Sequence, residues 1–213
     1  MAIPFAELNK INPSHIIELF ELELTVGLHI ATGNPQNLPT TYRFHAGANL
    51  NSFGEVIYRG NAYQRVAVQT EGFEKKSTGV LTRPIITFSN LGGIVRDPST
   101  NIARTMSDFL ANVNFVTPNN DLTKAKITRK MPLASALDDG NFLSGSNPFN
   151  TSVDTSNGLV DRLRDEIFVI DRKAIENRQV VQFELTAAHD LENRLIPQRT
   201  VTRDLFPAVG TFV

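Results

Sequence analysis

The stretch Tyr63–Val95, YQRVAVQTEGFEKKSTGVLTRPIITFSNLGGIV, has the pattern of two β-strands joined by turns. Before Gly72, polar and apolar side chains alternate with a period of two, as in a strand whose two faces have different surroundings. A second run, Ile85–Phe88, follows a proline and ends in Ser89–Gly93, residues that favour turns. The stretch contains no recognisable catalytic motif, and it therefore predicts a scaffold.

The composition is that of a globular protein, with 41% hydrophobic and 20% charged residues in a chain of 213. A chain of this length buries about 70% of its unfolded surface, so it can form a core without disulfides or structural metal ions. The net charge of −1 disfavours nucleic-acid and membrane-surface binding, which usually need a basic face. The absence of cysteine excludes disulfides, thiolate nucleophiles and cysteine-ligated metal centres within these residues.

The N-terminal residues lack the basic and apolar regions of a signal peptide. Ile16–Ile30 is the longest apolar stretch, and charged side chains interrupt it, so we expect no membrane span.

Short alternating or apolar runs predict about eight strands. A helix competes with a strand in His15–Thr25, because Glu and Leu are good helix formers. The period of two through Leu22 and Leu24 favours a strand in the second half. Gly60-Asn61 predicts a type II′ hairpin turn. The other predicted strands are Thr41–His45, Glu55–Tyr58, Lys124–Lys130, Asp165–Asp171 and Val180–Thr186, with Lys173–Asn177 as a loop.

One helix is predicted over Asn101–Asn114, with Ser99 or Thr100 as its N-cap and Thr117-Pro118 at its end. Its apolar face is formed by Ile102, Met106, Phe109, Leu110 and Val113. The chain is thus predicted to be mainly β, with a barrel or sandwich and one short α-helix.

The polar residues do not form a recognisable catalytic or metal site. His15, His29, His45 and His189 lack metal-ligand spacing, although convergence of His29 and His45 with Asp190 remains an alternative. His189-Asp190 lacks a nucleophile elbow, and Gly92-Gly93 lacks the rest of a phosphate-binding motif. Asp138-Asp139-Gly140-Asn141 resembles part of a calcium loop but is better interpreted as a polar turn. Asp165 and Glu166 are adjacent, which places them on opposite faces of a strand and argues against a glycosidase pair.

Two other groups of side chains suggest contacts with neighbouring molecules. The basic stripe of Lys124, Lys126, Arg129 and Lys130 predicts a solvated strand face, with an acidic neighbour such as residues 161–171 as the alternative. Residues 138–160, rich in Asn, Ser, Gly and Asp, predict an exposed loop or arm. Such a loop cannot bury its phenylalanines alone, so docking to a neighbouring subunit is expected. The candidate interface residues are Phe142, Phe149, Phe206 and Phe212.

Several segments in order resemble the minor tail protein L family of long-tailed phages. The motif residues that carry the resemblance are Gly72, Phe73, Gly79, Arg83, Pro84, Ser89, Asn90 and Gly92. Supporting segments are IIELFELEL near residue 16, Tyr58–Tyr63, Ala136–Asp138, Asn141-Phe142, Val169–Lys173, Val181–Leu185 and Leu195–Arg199. The resemblance covers about residues 15–203, preceded by a lead-in of 1–14 and followed by a tail of 204–213.

The resemblance implies a structural role in the virion. Such a protein is made in the host cytoplasm and sits at the tail tip, between the distal end of the tail tube and the central host-recognition hub. A hub-like β-barrel is implied, usually in three copies. The implied neighbours are further copies of the chain, the distal tail protein, the central hub or fibre protein and the tape-measure protein.

The chain departs from the family pattern near its last residues. The family typically continues into a cysteine-bearing domain that can hold an iron–sulfur cluster, but Phe206 stands where a cysteine would be expected. The cluster is therefore not carried over, and no cofactor is expected. Two alternatives remain open: an envelope-acting β-barrel hydrolase or carbohydrate-binding domain, and a hexameric distal tail protein.

Overall fold

The architecture of the chain is an open, curled β-sheet that encloses a core with one α-helix. The computed structural model describes residues 9–34, 38–47, 55–73, 83–91, 95–96, 103–149, 162–187 and 202. The strands are β1 Leu19–Glu23, β2 Thr41–His45, β3 Glu55–Tyr58, β4 Asn61–Arg65, β5 Val68–Glu71, β6 Ile85–Ser89, β7 Val95–Arg96, β8 Ala103–Arg104, β9 Lys126–Lys130, β10 Glu166–Glu176 and β11 Val180–Ala187. The helix α1 is Met106–Val116, and two short 3₁₀ helices span Ala134–Ala136 and Asp139–Asn141.

Nine strands form one sheet in the order β3-β4-β2-β1-β9-β10-β11-β6-β5, and β7 pairs with β8 separately. All pairs in the large sheet are antiparallel except β2 with β4. The mainly β class with one helix is therefore confirmed.

The connection between β4 and β5 makes the sheet curl. These strands lie near opposite ends of the strand order, yet only Val66 and Ala67 separate them. Three peptide units span at most about 11 Å, so the two ends of the sheet must approach each other. The Val66 N–H donates to the His45 carbonyl of β2 at 3.0 Å, and the Ser89 N–H of β6 donates to the Ala67 carbonyl at 2.9 Å.

The sheet is not a closed barrel, so the predicted barrel was wrong. The strand β4 pairs with β2 at one end of the sheet. The next strand in the chain, β5, pairs with β6 at the other end. The pairing of strands is interrupted at Val66-Ala67, where the chain passes from β4 to β5. Alternation of side chains continues almost smoothly through this crossing, which is why the sequence predicted one strand.

Aromatic rings connect the strands across the concave side of the sheet. Phe44 of β2 stacks on Phe20 of β1 with ring centroids 5.5 Å apart, and it meets Phe88 of β6 edge-on at 5.3 Å. Phe88 in turn contacts Phe183 of β11 at 6.1 Å. These contacts fill the space between the two ends of the curled sheet with large apolar side chains.

The helix α1 closes one part of this core. Its buried residues are Met106, Phe109, Leu110 and Val113, as the periodicity predicted. The ring of Phe109 meets Tyr42 of β2 edge-on at 5.0 Å. The helix begins later than predicted, because Thr105 is the N-cap and forms a capping box with Asp108. It ends at Val116, next to the predicted stop.

Two other predicted boundaries differ from the structure. The strand β10 continues to Glu176 through the predicted loop 173–177, with register shifts after Ile170 and Lys173. Such bulges allow a strand to continue despite an irregular side-chain pattern. The hairpin turn between β3 and β4 is Arg59-Gly60, with φ of 51° and 71°. Two positive φ values indicate type I′ rather than the predicted type II′ turn.

Replacing Phe183 by alanine should destabilise the fold strongly, because its side chain is fully buried. We expect Phe183→Ala to lower the free energy of unfolding by about 3–5 kcal/mol, measured by urea denaturation. Phe115→Ala is the matched control, since Phe115 is 90% exposed. It should change stability by no more than about 0.5 kcal/mol. Equal losses in both variants would contradict the assignment of the core.

Candidate assembly surface

The strand β1 separates two hydrophobic clusters. Phe20 and Leu22 face the main core, whereas Leu19 faces a second cluster on the outer side of the sheet. This outer cluster consists of Leu19, Val56, Tyr58, Tyr63 and Leu137, with Ile17 and Phe142 packed against it. The β3–β4 hairpin and the segment 131–149 therefore form a second layer over β1.

The segment 131–149 is attached to the hairpin by side-chain hydrogen bonds. The Asp138 carboxylate accepts from the backbone N–H groups of Arg59 at 3.0 Å and Gly60 at 2.6 Å, which holds Arg59 in its left-handed conformation. The Asn141 amide accepts from the Ile57 N–H at 2.7 Å and donates to the Ile57 carbonyl at 2.6 Å. Gly140 permits this close approach, since a Cβ atom there would lie 2.9 Å from Ile57 Cδ1.

Further hydrogen bonds hold the segment in shape. The Asn147 side chain donates to the carbonyls of Ser135 at 2.8 Å and Leu137 at 3.0 Å. The Asp139 carboxylate accepts from the Asn147 N–H at 2.8 Å. The described part of the predicted loop, 138–149, thus contains a 3₁₀ turn and the buried Asn141, rather than being a solvent-exposed arm throughout. Residues 150–161 lie outside the described part of the chain.

An apolar groove lies on the outer side of this segment. Its volume is about 440 Å³. The rings of Phe142 and Phe149 meet edge-on in it, with centroids 6.3 Å apart. Leu143 is fully exposed and Phe149 is 59% exposed. The groove is lined by Ala134, Leu137, Asn141, Phe142, Leu143, Ser144, Pro148 and Phe149.

The structure brings together two of the four candidate interface residues. Phe142 anchors the groove to the outer cluster, and Phe149 extends it toward solvent. Phe206 and Phe212 lie outside the described residues.

A buried carboxylate lies next to the outer cluster, at Glu21 of β1. It accepts a hydrogen bond from the Tyr63 hydroxyl at 2.6 Å, and it pairs with Lys130 at 2.7 Å and Arg43 at 3.3 Å. Burial acts to raise the pKa of the Glu21 carboxyl, but the hydrogen bonds from Lys130 and Tyr63 and the charges of Lys130 and Arg43 outweigh it. The pKa of Glu21 is therefore below its ordinary value. Burial and the Glu21 carboxylate raise the pKa of Tyr63.

Three residues of the basic stripe, Lys126, Arg129 and Lys130, pair with acids instead of forming the predicted solvated face. The partner Glu166 lies within residues 161–171, the acidic neighbour given as the alternative. Lys126 pairs with Glu23 of β1 at 3.0 Å, and Lys130 pairs with Glu21. Arg129 contacts Glu18 and also pairs with Glu166 at 2.9 Å, while its guanidinium lies over the Phe73 ring at 4.9 Å. Lys124 precedes β9 with a positive φ of 71°. Strand register explains two of these pairs, because Glu23 of β1 lies directly opposite Lys126 of β9, and Glu166 of β10 lies directly opposite Arg129.

The motif residues that the structure describes lie in the core or in the segments that connect its strands. Phe73 contacts Phe20 at 6.4 Å and Phe168 at 5.2 Å, which covers the part of the core next to Arg129. Gly72 has a φ of 76°, and a Cβ atom there would lie 3.4 Å from Pro84 Cα. The Pro84 carbonyl accepts from the Leu185 N–H at 2.8 Å.

The remaining described motif residues lie on or beside β6. Arg83 is 3.8 Å from Asp171, and Ser89 joins the Val66-Ala67 crossing through its N–H. The Asn90 side chain donates to Ser107 of α1 at 2.8 Å and to the Asn177 carbonyl at 2.9 Å, which links the helix to the β10–β11 turn. Gly79 and Gly92 lie outside the described residues.

The polar residues considered for catalysis have other roles where the structure describes them. His29 is buried, with Nδ1 accepting from the Thr25 N–H at 3.0 Å and Nε2 3.0 Å from the Thr123 carbonyl oxygen. Burial lowers the pKa of His29. Asp165 pairs with Arg162 at 3.2 Å and Glu166 with Arg129, so the two acids have separate partners. Within the described ranges, no three His, Asp or Glu side chains are grouped to hold a metal ion.

Comparison with known proteins identifies the family. The model of the family described as phage minor tail protein L matches residues 37–209. The chain belongs to this family. The match begins later than the resemblance from residue 15 and continues past residue 203. Tail tip protein L of Escherichia phage lambda is 31% identical over 117 residues, which make up 54% of this chain and 41% of that relative. The aligned part is thus less than half of the relative's length.

Membership of the phage minor tail protein L family makes the chain a structural component of a virion tail. The hydrolase alternative is therefore wrong. These 213 residues contain no cysteine, so they do not provide thiolate ligands for an iron–sulfur cluster. In the part of the chain that the structure describes, no helix is long and apolar enough to cross a membrane.

The sequence assigned no role in this surface to two of its important residues, Asn141 and Glu21. Asn141 was interpreted as part of a polar turn, and its partner Ile57 is 84 residues away. For Glu21 a signal was present, since a glutamate between Phe20 and Leu22 faces away from the main core. Only the second layer over β1 makes that position buried.

Replacing Glu21 by glutamine should weaken the fold in a pH-dependent way. At neutral pH we expect Glu21→Gln to lower the free energy of unfolding by about 1–3 kcal/mol, because hydrogen bonds to a charged acceptor are lost. A carboxyl with a lowered pKa stabilises the fold above its unfolded pKa and loses that effect as the pH falls. The difference between wild type and variant should therefore shrink below about pH 4.5, in urea titrations across pH.

The matched control for this measurement is Glu71→Gln, at an exposed position of β5. It should change stability by no more than about 0.5 kcal/mol at any pH. A pH-independent loss in Glu21→Gln would show that the charge of Glu21 is unimportant.

Proposed function

We propose that this chain is a hub or connector at the tail tip, joining the end of the tail tube to the central host-recognition hub. Membership of the phage minor tail protein L family carries the proposal. The name of the lambda relative, a tail tip protein, supports the position in the virion. The implied neighbours are further copies of this chain, the distal tail protein, the central hub or fibre protein and the tape-measure protein.

A connector needs a rigid body that presents firm contact surfaces to different neighbours. The curled sheet supplies the rigid body, because aromatic rings connect its strands across the core. The groove of Phe142, Leu143 and Phe149 supplies a candidate contact surface. Hydrogen bonds to Asn141 and Asn147 hold this groove in shape without a neighbour, so docking there would cost little conformational entropy.

We further propose a homotrimer. Three copies in a ring require a contact between two different surfaces of the chain, repeated around the axis. The groove lies on the outer side of β1, whereas α1 packs into the core on the other side. The groove of Phe142, Leu143 and Phe149 supplies one of these two surfaces in the proposed ring.

Imaging of intact virions by electron cryomicroscopy tests the position and the copy number. We expect three copies at the distal end of the tail tube, in contact with the central hub. Six copies would instead identify a distal tail ring. Absence of the chain from the tail tip, or its presence along the tube, would contradict the proposal.

A charge placed in the groove should block assembly without unfolding the chain. We expect Leu143→Asp to reduce the yield of infectious particles at least about tenfold, because a buried unpaired carboxylate at an interface costs more than about 1.4 kcal/mol. Leu143 is fully exposed in the isolated chain, so its thermal unfolding should stay unchanged. The yield is measured by complementing a phage that lacks the chain.

The matched control is Phe115→Asp, at an exposed position of α1 on the other side of the sheet. This variant should assemble normally. Normal particle yield from Leu143→Asp would remove the groove from the proposed interface and leave the position at the tail tip untouched.

A further inference from the structure

The exposed edge of the sheet at β3 is covered by side chains. Among the described strands, β3 pairs only with β4, so its other edge faces outward. Backbone N–H and carbonyl groups on such an edge are a template for pairing with another strand. On β3 and the turn after it, the N–H groups of Ile57, Arg59 and Gly60 are each bonded to the segment 138–141.

Asn141 imitates a neighbouring strand at Ile57. Its amide accepts from the Ile57 N–H and donates to the Ile57 carbonyl, the same two bonds that a paired residue would make. The Asp138 N–H also donates to the Ile57 carbonyl, at 3.3 Å. The Asp138 carboxylate accepts from the N–H groups of both turn residues, Arg59 and Gly60. A side chain can satisfy the backbone hydrogen-bonding groups of the edge in this way, but it does not offer a new backbone edge to which another strand could pair.

From this geometry we propose that Asp138–Asn141 is a cap that prevents a second copy of the chain from pairing with β3. The cap is buried where it matters, since Asn141 is only 3% exposed. An open edge would allow copies of the chain to join edge to edge before they meet their proper neighbours. The polar sequence Asp138-Asp139-Gly140-Asn141 thus keeps the chain available for correct assembly.

The partner that would pair with an uncapped β3 edge is a second copy of the chain, because the same edge can serve on both copies. Two β3 edges can pair antiparallel about a twofold axis, which doubles the mass of the particle and uses the same surface on both copies. This contact uses the backbone edge of β3, and Asn141 is the residue that it shares with the groove. The cap is tested on the isolated chain, so it does not depend on the proposed position at the tail tip.

The test is a substitution that removes the cap but keeps its volume. Asn141→Leu removes both bonds to Ile57 and fills similar space. Compared with wild type at equal concentration, we expect the mean mass to rise about twofold in sedimentation equilibrium, since the pairing joins two copies. The Ile57 amide should remain protected from hydrogen exchange in the associated variant, because the second copy replaces the cap.

Two further variants separate edge pairing from general loosening. Asn114→Leu is the matched control, because Asn114 also accepts one hydrogen bond and donates another, both with Asp121, and lies on α1 rather than beside β3. It should leave the mass unchanged. Adding Ile57→Pro to Asn141→Leu should restore the wild-type mass, because proline has no N–H for a second strand and is tolerated where that N–H faces outward.

Several outcomes would overturn the proposal. A folded Asn141→Leu variant with wild-type mass would show that the edge is not prone to pairing. Association that also occurs in Asn114→Leu, or that survives Ile57→Pro, would show another contact. If Asn141→Leu does not fold, Asn141→Ala, which also removes both bonds to Ile57, takes its place. Failure of both to fold would assign Asn141 to folding itself and would refute the role as a cap.

Discussion

The short connection Val66-Ala67 is the constraint on which the rest of the structure depends. Two residues cannot span the width of a flat sheet of nine strands, so β4 and β5 can occupy their places only if the sheet curls. The curl brings Phe44 of β2 against Phe88 of β6 and creates the enclosed core. It also provides the space in which α1 packs. A longer connection would allow these strands to separate and the core to open.

The curl leaves one end of the sheet turned outward, and the second layer over β1 forms there. Its hydrophobic cluster is small, so polar contacts carry much of its order. Asp138 and Asn141 bond the segment to the hairpin, and Glu21 is neutralised by cations from β2 and β9. Such polar contacts fix one arrangement, because leaving any buried member unpaired costs free energy.

Local pattern predicted most of the strands, and the family resemblance predicted the role. Thr41–His45 and Glu55–Tyr58 were predicted with their observed bounds, because alternation and flanking turn residues both mark them. The start of α1 was misplaced, since Ser99, Thr100 and Thr105 are equally good N-caps on residue type alone.

The barrel and the solvated basic stripe were wrong for a different reason. Both depend on which distant strands become neighbours, and period-two patterns contain no such information. The groove was predicted only as far as its exposed phenylalanines, whereas Asn141 required contacts across 84 residues.

The central position of β1 has a consequence for synthesis of the chain. Its partner β9 lies about a hundred residues downstream, as in the contact of Glu23 with Lys126 across 103 residues. Non-local pairing of this kind slows folding, and β1 leaves the ribosome long before β9 exists. During that interval an apolar strand is exposed at risk of aggregation. Glu18, Glu21 and Glu23, which later pair with cations of β2 and β9, supply the negative charge that keeps such a strand apart from others until its neighbours arrive.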